Sequence, residues 1–477
     1  MFEIVCGTYL VFYCSYFVIN VSYFTSYVFF IILDLHRLFY FKIVIVYRLL
    51  IEEHMLMEIL FYRYNNICEP DIIQVFRDFG ITVHTEEMEI TDKNITPRQC
   101  AAKITEWLTE HSFAFVFSIN FFPAISYTCN HFKVPYVCWS VDSPVAELFS
   151  NALKNEWNRI FLFDRAQYKF FRPINPERIF YLPLAANVKR WENIILNMTE
   201  EDFIKYDADV SFVGSLYTER CRYDNLIASG TAHSASDSVP STVFNDRNPA
   251  NSGSTRPLIS PYTQGFVDGL MEAQLKVYGH NFIPDNLNDR VINEIAGADP
   301  DFYEGSDTYT DTRRYLVAHQ YIGIKLAALE RERTLNRLAK HFRVALYTRS
   351  DTSQLKDVDC RGGVNTLTEM PKVFHVSKIN LNITMRPIET GLSLRVWDIL
   401  GCGGFLLTNY QAEIPEFFEI GKDLETYESM EELEQKVQYY LTHEEDRVEI
   451  AIRGYEKVAM HHTYELRIAE MIRMLSS

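Results

Sequence analysis

The sequence predicts an α/β fold of two doubly wound units, each a parallel sheet covered by helices. Three observations predict it. From Glu58 onward, short apolar runs alternate with amphipathic stretches, as they do when strands are buried on both faces and helices pack over them. The alternation starts afresh near Asp209, so the architecture is duplicated. The 477 residues leave room for two such units.

In the first unit, residues 58–62 read as a strand, 69–79 as a helix ending at Gly80, and 82–86 as a second strand. Residues 97–110 form a helix and 114–118 a buried strand. Residues 135–140 and 159–163 are further strands, each with an acid close behind, Asp142 and Asp164. Ligands of doubly wound sheets bind at such C-terminal strand ends. Residues 179–185 are apolar and broken by Pro183, which suits a chain leaving its first domain.

The second unit opens with a strand at 209–213 running into Gly214 and Ser215. Residues 228–256 interrupt it. They are rich in Ser, Thr, Asn, Gly and Ala, and read as a surface insertion or disordered loop. Helical patterns resume at 265–278 and 315–341. Strands follow at 343–347, 378–383 and 404–408, and acidic amphipathic helices at 430–474. The expected domains are therefore 55–200 and 205–450, with closing helices at 451–477.

Residues 4–33 contain no charged side chain, a run long enough to span a bilayer, and Arg37, Lys42 and Arg48 follow it. The run is dense in Phe and Tyr and lacks a signal-peptide cleavage site. Residues 1–54 are thus expected to be either a spurious upstream extension, with the start at Met55 or Met57, or a membrane anchor. Lys and Arg number 46 against 63 Asp and Glu, a net charge of −17, which disfavours nucleic acid as a partner for the whole chain. Nine scattered cysteines without a CxxC pair fit a reducing cytoplasm, the expected location unless residues 1–54 are a genuine anchor.

The most informative stretch is 379–408, INLNITMRPIETGLSLRVWDILGCGGFLLT, read as strand, polar loop, helix, glycine turn and strand. Its loop carries Arg386, Glu389, Thr390 and Gly391, and its helix Arg395 and Asp398. A helix N-terminus behind a glycine-bearing loop offers free N–H groups to a diphosphate. A nearby arginine adds charge-assisted hydrogen bonds, and a carboxylate one turn on can accept from both ribose hydroxyls. The alternative is an ordinary i,i+3 pair of Arg395 with Asp398. DVSFVGSLYTER offers a second phosphate contact: Gly214 permits close backbone approach, and Ser215, Arg220 and Arg222 follow. A plain strand-to-helix turn with solvated arginines is the alternative there. Arg349, at the end of another strand, is a third candidate.

The 379–408 segment resembles the C-terminal glycosyltransferase domain of spore-maturation (CgeB-type) proteins, distant relatives of the group 1 glycosyltransferases. In that wider group a helix carries a carboxylate followed five residues later by a glycine, as Asp398 and Gly403 are here. The usual carboxylate is glutamate, and it contacts the donor ribose. The group's earlier glutamate stands eight residues before it, a place held here by Thr390 with Glu389 adjacent. The runs SINFFPAISYTCNHFKVPYVCWSVDSP, FLFDRAQYKFF and YLPLAAN resemble the accompanying N-terminal domain. The resemblance spans residue 57 to the C-terminus, the 228–256 insertion excepted.

It implies a GT-B fold, two Rossmann-like domains facing each other across a cleft. It also implies transfer of a sugar from a nucleotide diphosphate-sugar to an acceptor hydroxyl, with no metal and no other cofactor. The acceptor, whether glycan, protein or small molecule, is left open, as is a peripheral membrane contact. Trp139, Asp142 and Asp164 would then face the acceptor, Trp139 to stack on a sugar and either aspartate as general base. Against this, Asp142-Ser143-Pro144 is also a helix-start signal and Asp164-Arg165 can be a surface pair. The rival function is a non-catalytic, coat-associated protein of the same fold that holds a sugar or nucleotide. Asp207-Ala208-Asp209 spells a metal-binding DxD but leads into a strand, and His461-His462 lacks partners at metal spacing.

Overall fold

Two parallel six-stranded sheets form, each from the strands of one half of the sequence. The first contains β1 (Glu58–Tyr62), β2 (Thr82–Glu86), β3 (Phe115–Ile119), β4 (Tyr136–Ser140), β5 (Asn158–Leu162) and β6 (Ile179–Tyr181), in the order β2-β1-β3-β4-β5-β6. The second contains β7 (Val210–Val213), β8 (Val344–Tyr347), β9 (Asp359–Cys360), β10 (Ile379–Asn382), β11 (Leu406–Asn409) and β12 (Glu425–Tyr427), in the order β12-β11-β10-β7-β8-β9. The computed structural model describes residues 57–229, 259–305 and 307–475, all within one compact unit, His54–Ser477. The expected extension or anchor at 1–54 lies outside the described residues. So does the expected insertion, except Ala228 and Ser229, which end the helix Arg222–Ser229.

Parallel pairing requires a crossover over the sheet after each strand, and helices make up most of these crossovers, the β8–β9 connection excepted. With both faces covered, β3 and β4 are buried at every residue, which explains their unbroken apolar runs. The crossover helices have local start signals. Thr96 and Gln99 make a reciprocal capping box ahead of Pro97–Glu110.

In each sheet the strand order reverses once, between β1 and β3 and between β7 and β10. Adjacent loops diverge at such points and leave a crevice beyond the strand C-termini. The β7–β8 crossover runs over residues 214–343. It carries a helical subdomain with its own core, including Val267, Met271, Ile295, Tyr321 and Leu326. Within it, Pro261–Gln274 answers the expected 265–278 helix, whereas Asp289–Ala298 was not foreseen. The expected 315–341 helix is interrupted: Arg313–Leu316 runs into a π-helical turn at Val317–Ile322 before α1 (Gly323–Leu338) resumes regular winding.

The closing helices begin at Glu444, ahead of the expected 451. Glu444–His461 packs on α2 (Leu394–Gly401) of the second lobe, and Tyr464–Leu475 returns to the first lobe against Glu69–Asp78. There Tyr464 meets the Trp139 ring edge-on at 5.9 Å, and Arg467 Nε donates to the Pro183 carbonyl at 3.1 Å. Two Rossmann-like lobes with their crevices turned to a shared cleft make this an α/β fold of the GT-B type.

Candidate active site

The second lobe's crevice is framed by the segment after β7 and the loop 383–393 after β10. Gly214 leaves no side chain between the backbone and the Phe212 ring, which a Cβ there would meet at 3.5 Å. Ser215 Oγ accepts from Tyr217 N at 2.8 Å, and Ser350 Oγ accepts from Leu216 N at 2.8 Å, tying the loops after β7 and β8 together. Arg331, buried on α1, spans the crevice floor: it donates to the Ser215 carbonyl on one side and to the Ile383 carbonyl at 2.8 Å on the other. Sequence reasoning passed over it because LERERTLNRL reads as a solvated charged helix. The 383–393 loop is also held from below. Asn409 accepts from Thr384 N at 2.8 Å and donates to Thr384 O at 2.9 Å, while Gln411 donates to Ile388 O at 3.1 Å. The loop delivers α2, whose N-cap Ser393 makes no side-chain capping bond and accepts from Val396 N through its carbonyl at 3.0 Å, so that the N–H groups of Leu394 and Arg395 are the ones left for a ligand.

The candidate arginines separate into two kinds. Arg386, expected at the diphosphate, is buried in an ion pair with Glu330 at 2.8 Å and lies over the Tyr278 ring at 4.6 Å; it is committed to the lobe's interior. Arg395 bonds Asp398 at 3.0 Å across one helical turn, the i,i+3 pair, but one in which Asp398 is buried. Burial pushes the Asp398 carboxyl up to about 6, against the pull of Arg395 and Arg190. Arg220 and Arg349, by contrast, are exposed and make no side-chain hydrogen bond or ion pair with any described residue. Arg349 lies along Gly363, where a Cβ would come within 2.6 Å of its Cγ. Arg222 is paired with Asp299 at 2.6 Å.

Both glycines of the motif have structural reasons. Gly391 faces the first lobe so closely that a Cβ would stand 2.8 Å from Asp164 Cα. Gly403, named with the donor contacts, lies past the C-terminal end of α2 with φ +72, at the opposite end from the open N–H groups. It turns the chain into β11.

In the first lobe, Asn120 organises the crevice. It adopts a left-handed φ of 58 at the end of β3. Its Oδ1 accepts from Val141 N at 3.0 Å, and its Nδ2 lies 2.6 Å from Asp142 Oδ2 and 2.9 Å from the Tyr64 hydroxyl. Asp142 is open to solvent at the crevice mouth yet ringed by protein. This crowding raises its carboxyl, offset by Asn120 and by the positive charge of Arg220. Burial raises Glu147 too, and the Asp142 charge adds to it.

Asp164, expected as the other base, is fully buried. It accepts from Ala166 N at 2.9 Å, Glu389 N at 2.7 Å, Thr390 N at 3.3 Å and Thr390 Oγ1 at 2.9 Å. It starts the helix Arg165–Phe171 and clamps the 383–393 loop to the first lobe, with no open edge toward a substrate. Trp139 is likewise fully buried, bonded to Leu182 O at 3.2 Å, and has no face for a sugar. Glu413, which the sequence reading missed, seconds the clamp: it accepts from Arg165 N at 2.7 Å, and it competes with Asp164 for the one Thr390 hydroxyl proton, 2.7 Å from Thr390 Oγ1. Ser143 Oγ adds a bond to Pro387 O at 2.8 Å.

Glu389 is held at this seam with its side chain 43% exposed. Burial, reinforced by Asp164 and Asp285, pushes its carboxyl up to about 7. His319 Nε2 stands 4.0 Å away, in a ring that burial holds down at about 4. Asp207 and Asp209 are ion-paired with Arg343 at 3.0 and 3.1 Å. Among the described residues, no group of three or more His, Cys, Asp or Glu is arranged to hold a metal, and no helix is long and apolar enough to cross a membrane.

Residues 329–473 match the family model described as Glycosyl transferase-like. No curated protein matches the chain. Among solved structures it is similar to Anabaena HepE in complex with UDP and glucose, at 10% identity, with 88% of this chain and 99% of that one covered and a TM-score of 0.46. It is similar to sucrose-phosphate synthase from Thermosynechococcus elongatus at 9% identity, 88% and 99% coverage and a TM-score of 0.44. A glycosyltransferase from Rickettsia africae aligns at 10% identity, 89% and 98% coverage and a TM-score of 0.43. The residues similar to the glycosyl transferase-like family, 329–473, include α2 and its N-terminus.

Proposed function

We propose that this protein moves a sugar from a nucleoside diphosphate donor to an acceptor hydroxyl held between the lobes. The observation that carries this reading is the second lobe's crevice, where Arg220 and Arg349 stand uncommitted beyond the C-terminal ends of β7 and β8 and α2 begins without a side-chain cap. Such groups neutralise charge developing on a leaving diphosphate, usually the largest catalytic contribution, and they do so without a bound metal. Asp398 accepts from the donor ribose, and Arg395 turns to the diphosphate when the donor binds. Asp142, open at the mouth of the facing crevice, is the candidate base. The Asp398 and Gly403 spacing supports a distant relationship to the group 1 glycosyltransferases, and the resemblance of the whole 379–408 segment supports the spore-maturation (CgeB-type) branch. The buried, unpaired cysteines fit a reducing, cytoplasmic setting.

Incubating the full chain with uridine, guanosine, adenosine and thymidine diphosphate sugars tests this reading. One donor should raise Tm and release its nucleoside diphosphate slowly. A donor that binds without any turnover would support the binding-protein alternative, and failure of all four to bind would overturn the proposal.

A further inference from the structure

We infer that His319 reads the donor's sugar: the π-helical turn Val317–Ile322 presents its imidazole so that it and the Glu389 carboxylate hold one sugar hydroxyl between them. The inference rests on the donor reading above and extends it to a residue of the helical subdomain.

Three independent features meet at this point. The first is the π turn itself. An i→i+5 turn inside a helix is uncommon, is often found at functional sites, and shifts the side chains it carries off the regular helical faces. The second is its fit to the donor loop. Gly323, the first residue after the turn, lies so close to Pro387 that a Cβ would come within 2.6 Å of the proline Cγ. Turn and loop therefore form one continuous wall.

The third is the state of His319. Its ring is 3% exposed and packs 4.4 Å, centroid to centroid, from Tyr315, and its Nδ1 has no hydrogen-bond partner. Its Nε2 faces Glu389 Oε1 at 4.0 Å, beyond hydrogen-bond reach. That gap suits a bridging oxygen, since two bonds of about 2.8 Å meeting near a right angle span about 4 Å.

The chemistry of the pair matches a hydroxyl. Burial keeps the imidazole neutral, so a proton on Nε2 is donated to the hydroxyl oxygen, while the carboxylate accepts the hydroxyl hydrogen. Glu389 is fixed for this purpose by its own N–H, bound to Asp164 Oδ2 at 2.7 Å. A site built to pair both ends of a hydroxyl rejects a deoxy analogue, because two polar groups are then left unmatched. The ligand class is a pyranose bearing a free hydroxyl, attached to the diphosphate at the adjoining α2 terminus.

The test is calorimetry on the full chain. The probes are UDP-, GDP-, ADP- and dTDP-glucose, the matching free diphosphates, and monodeoxy forms of whichever glucose donor the wild type prefers. His319→Phe keeps the ring and removes both nitrogens. It should bind the free diphosphate within about twofold of wild type and the sugar nucleotide roughly tenfold more weakly. One monodeoxy donor should lose roughly tenfold against wild type and nothing further against His319→Phe. If thermal unfolding shows that His319→Phe does not fold, Glu389→Ala with the same donors supplies the second arm of the cycle. Wild-type-like affinity of either folded variant for the sugar nucleotide would overturn this inference alone. It would also fall if every monodeoxy donor bound the wild type as tightly as the parent sugar, as when only water sits in the gap. If wild type bound neither diphosphates nor sugar nucleotides, the donor reading would fail and this inference with it.

Discussion

The C-terminal ends of β1 and β3 occupy the same topological position in the first lobe as those of β7 and β10 in the second, yet the two crevices are furnished oppositely. The first is acidic and internally bonded: Asn120 ties Tyr64, Val141 and Asp142 together, and Glu147 stands near. The second keeps two arginines without a side-chain partner among the described residues, and a helix N-terminus without a side-chain cap. An anion is attracted to the second crevice and repelled from the first, and the proposed placement of the diphosphate rests on that contrast. Shared topology supplies the place, and the side chains added to it decide the chemistry.

The sharpest way to break this comparison is to confuse the two kinds of arginine. Arg386→Ala strands the buried Glu330, and removing one partner of a buried pair costs about 3–5 kcal/mol. Denaturant unfolding should show that loss. A wild-type midpoint would mean that Arg386 is free to bind ligand after all. Next comes Asp164→Ala, which leaves several buried N–H groups without an acceptor and should cost about 3 kcal/mol. Asp142→Ala should stay within about 0.5 kcal/mol of wild type, because its side chain is exposed. Equal losses at both positions would erase the distinction between clamp and candidate base. Asp398→Asn should weaken donor binding by roughly ten- to a hundredfold, the range for a hydrogen bond to a charged group, while the fold survives. Unchanged affinity would reduce Asp398 to a helix partner of Arg395.

The smallest effect is a pH profile. Glu389 has its carboxyl raised from 4.5 to about 7 in the folded chain, so folding favours its protonated form. Its ionisation therefore weakens the fold progressively as pH rises from about 4.5 through 7, and the full effect is present above that window. The stability of Glu389→Gln relative to wild type should rise across the same window and level off above it. His319, with its ring lowered to about 4, acts in the other direction by destabilising the fold as pH falls below its ordinary 6.5. The difference between wild type and variant isolates the carboxylate. A flat difference would show that Glu389 is not crowded at the seam.

Local signals made much of this legible beforehand. β1, β2 and Pro97–Glu110 fall where the apolar periodicity and Gly80 put them. The Arg395, Asp398 and Gly403 spacing is likewise local, and α2 forms around it. What stayed hidden depends on partners distant in sequence. Asp164 is a clamp only because Glu389, 225 residues away, folds against it; from its own neighbours it looked like a base at a strand end. Arg386 and Arg220 are the same residue type in similar loops, and only the buried Glu330 separates them. Gly403 satisfied a ligand motif and a helix terminus equally well. His319 carried no signal at all, since a π turn is an irregularity that 3.6-residue periodicity smooths over.

The assignment of the diphosphate to the second lobe is tested most directly by titrating nucleoside diphosphates into the full-length wild type, Arg220→Ala and Arg349→Ala at two salt concentrations. The expected result is a wild-type affinity that falls with salt. Each exposed arginine variant should lose roughly tenfold or more with an unchanged Tm. Diphosphate binding that ignores both substitutions would contradict the assignment and move the donor out of the β7–β10 crevice.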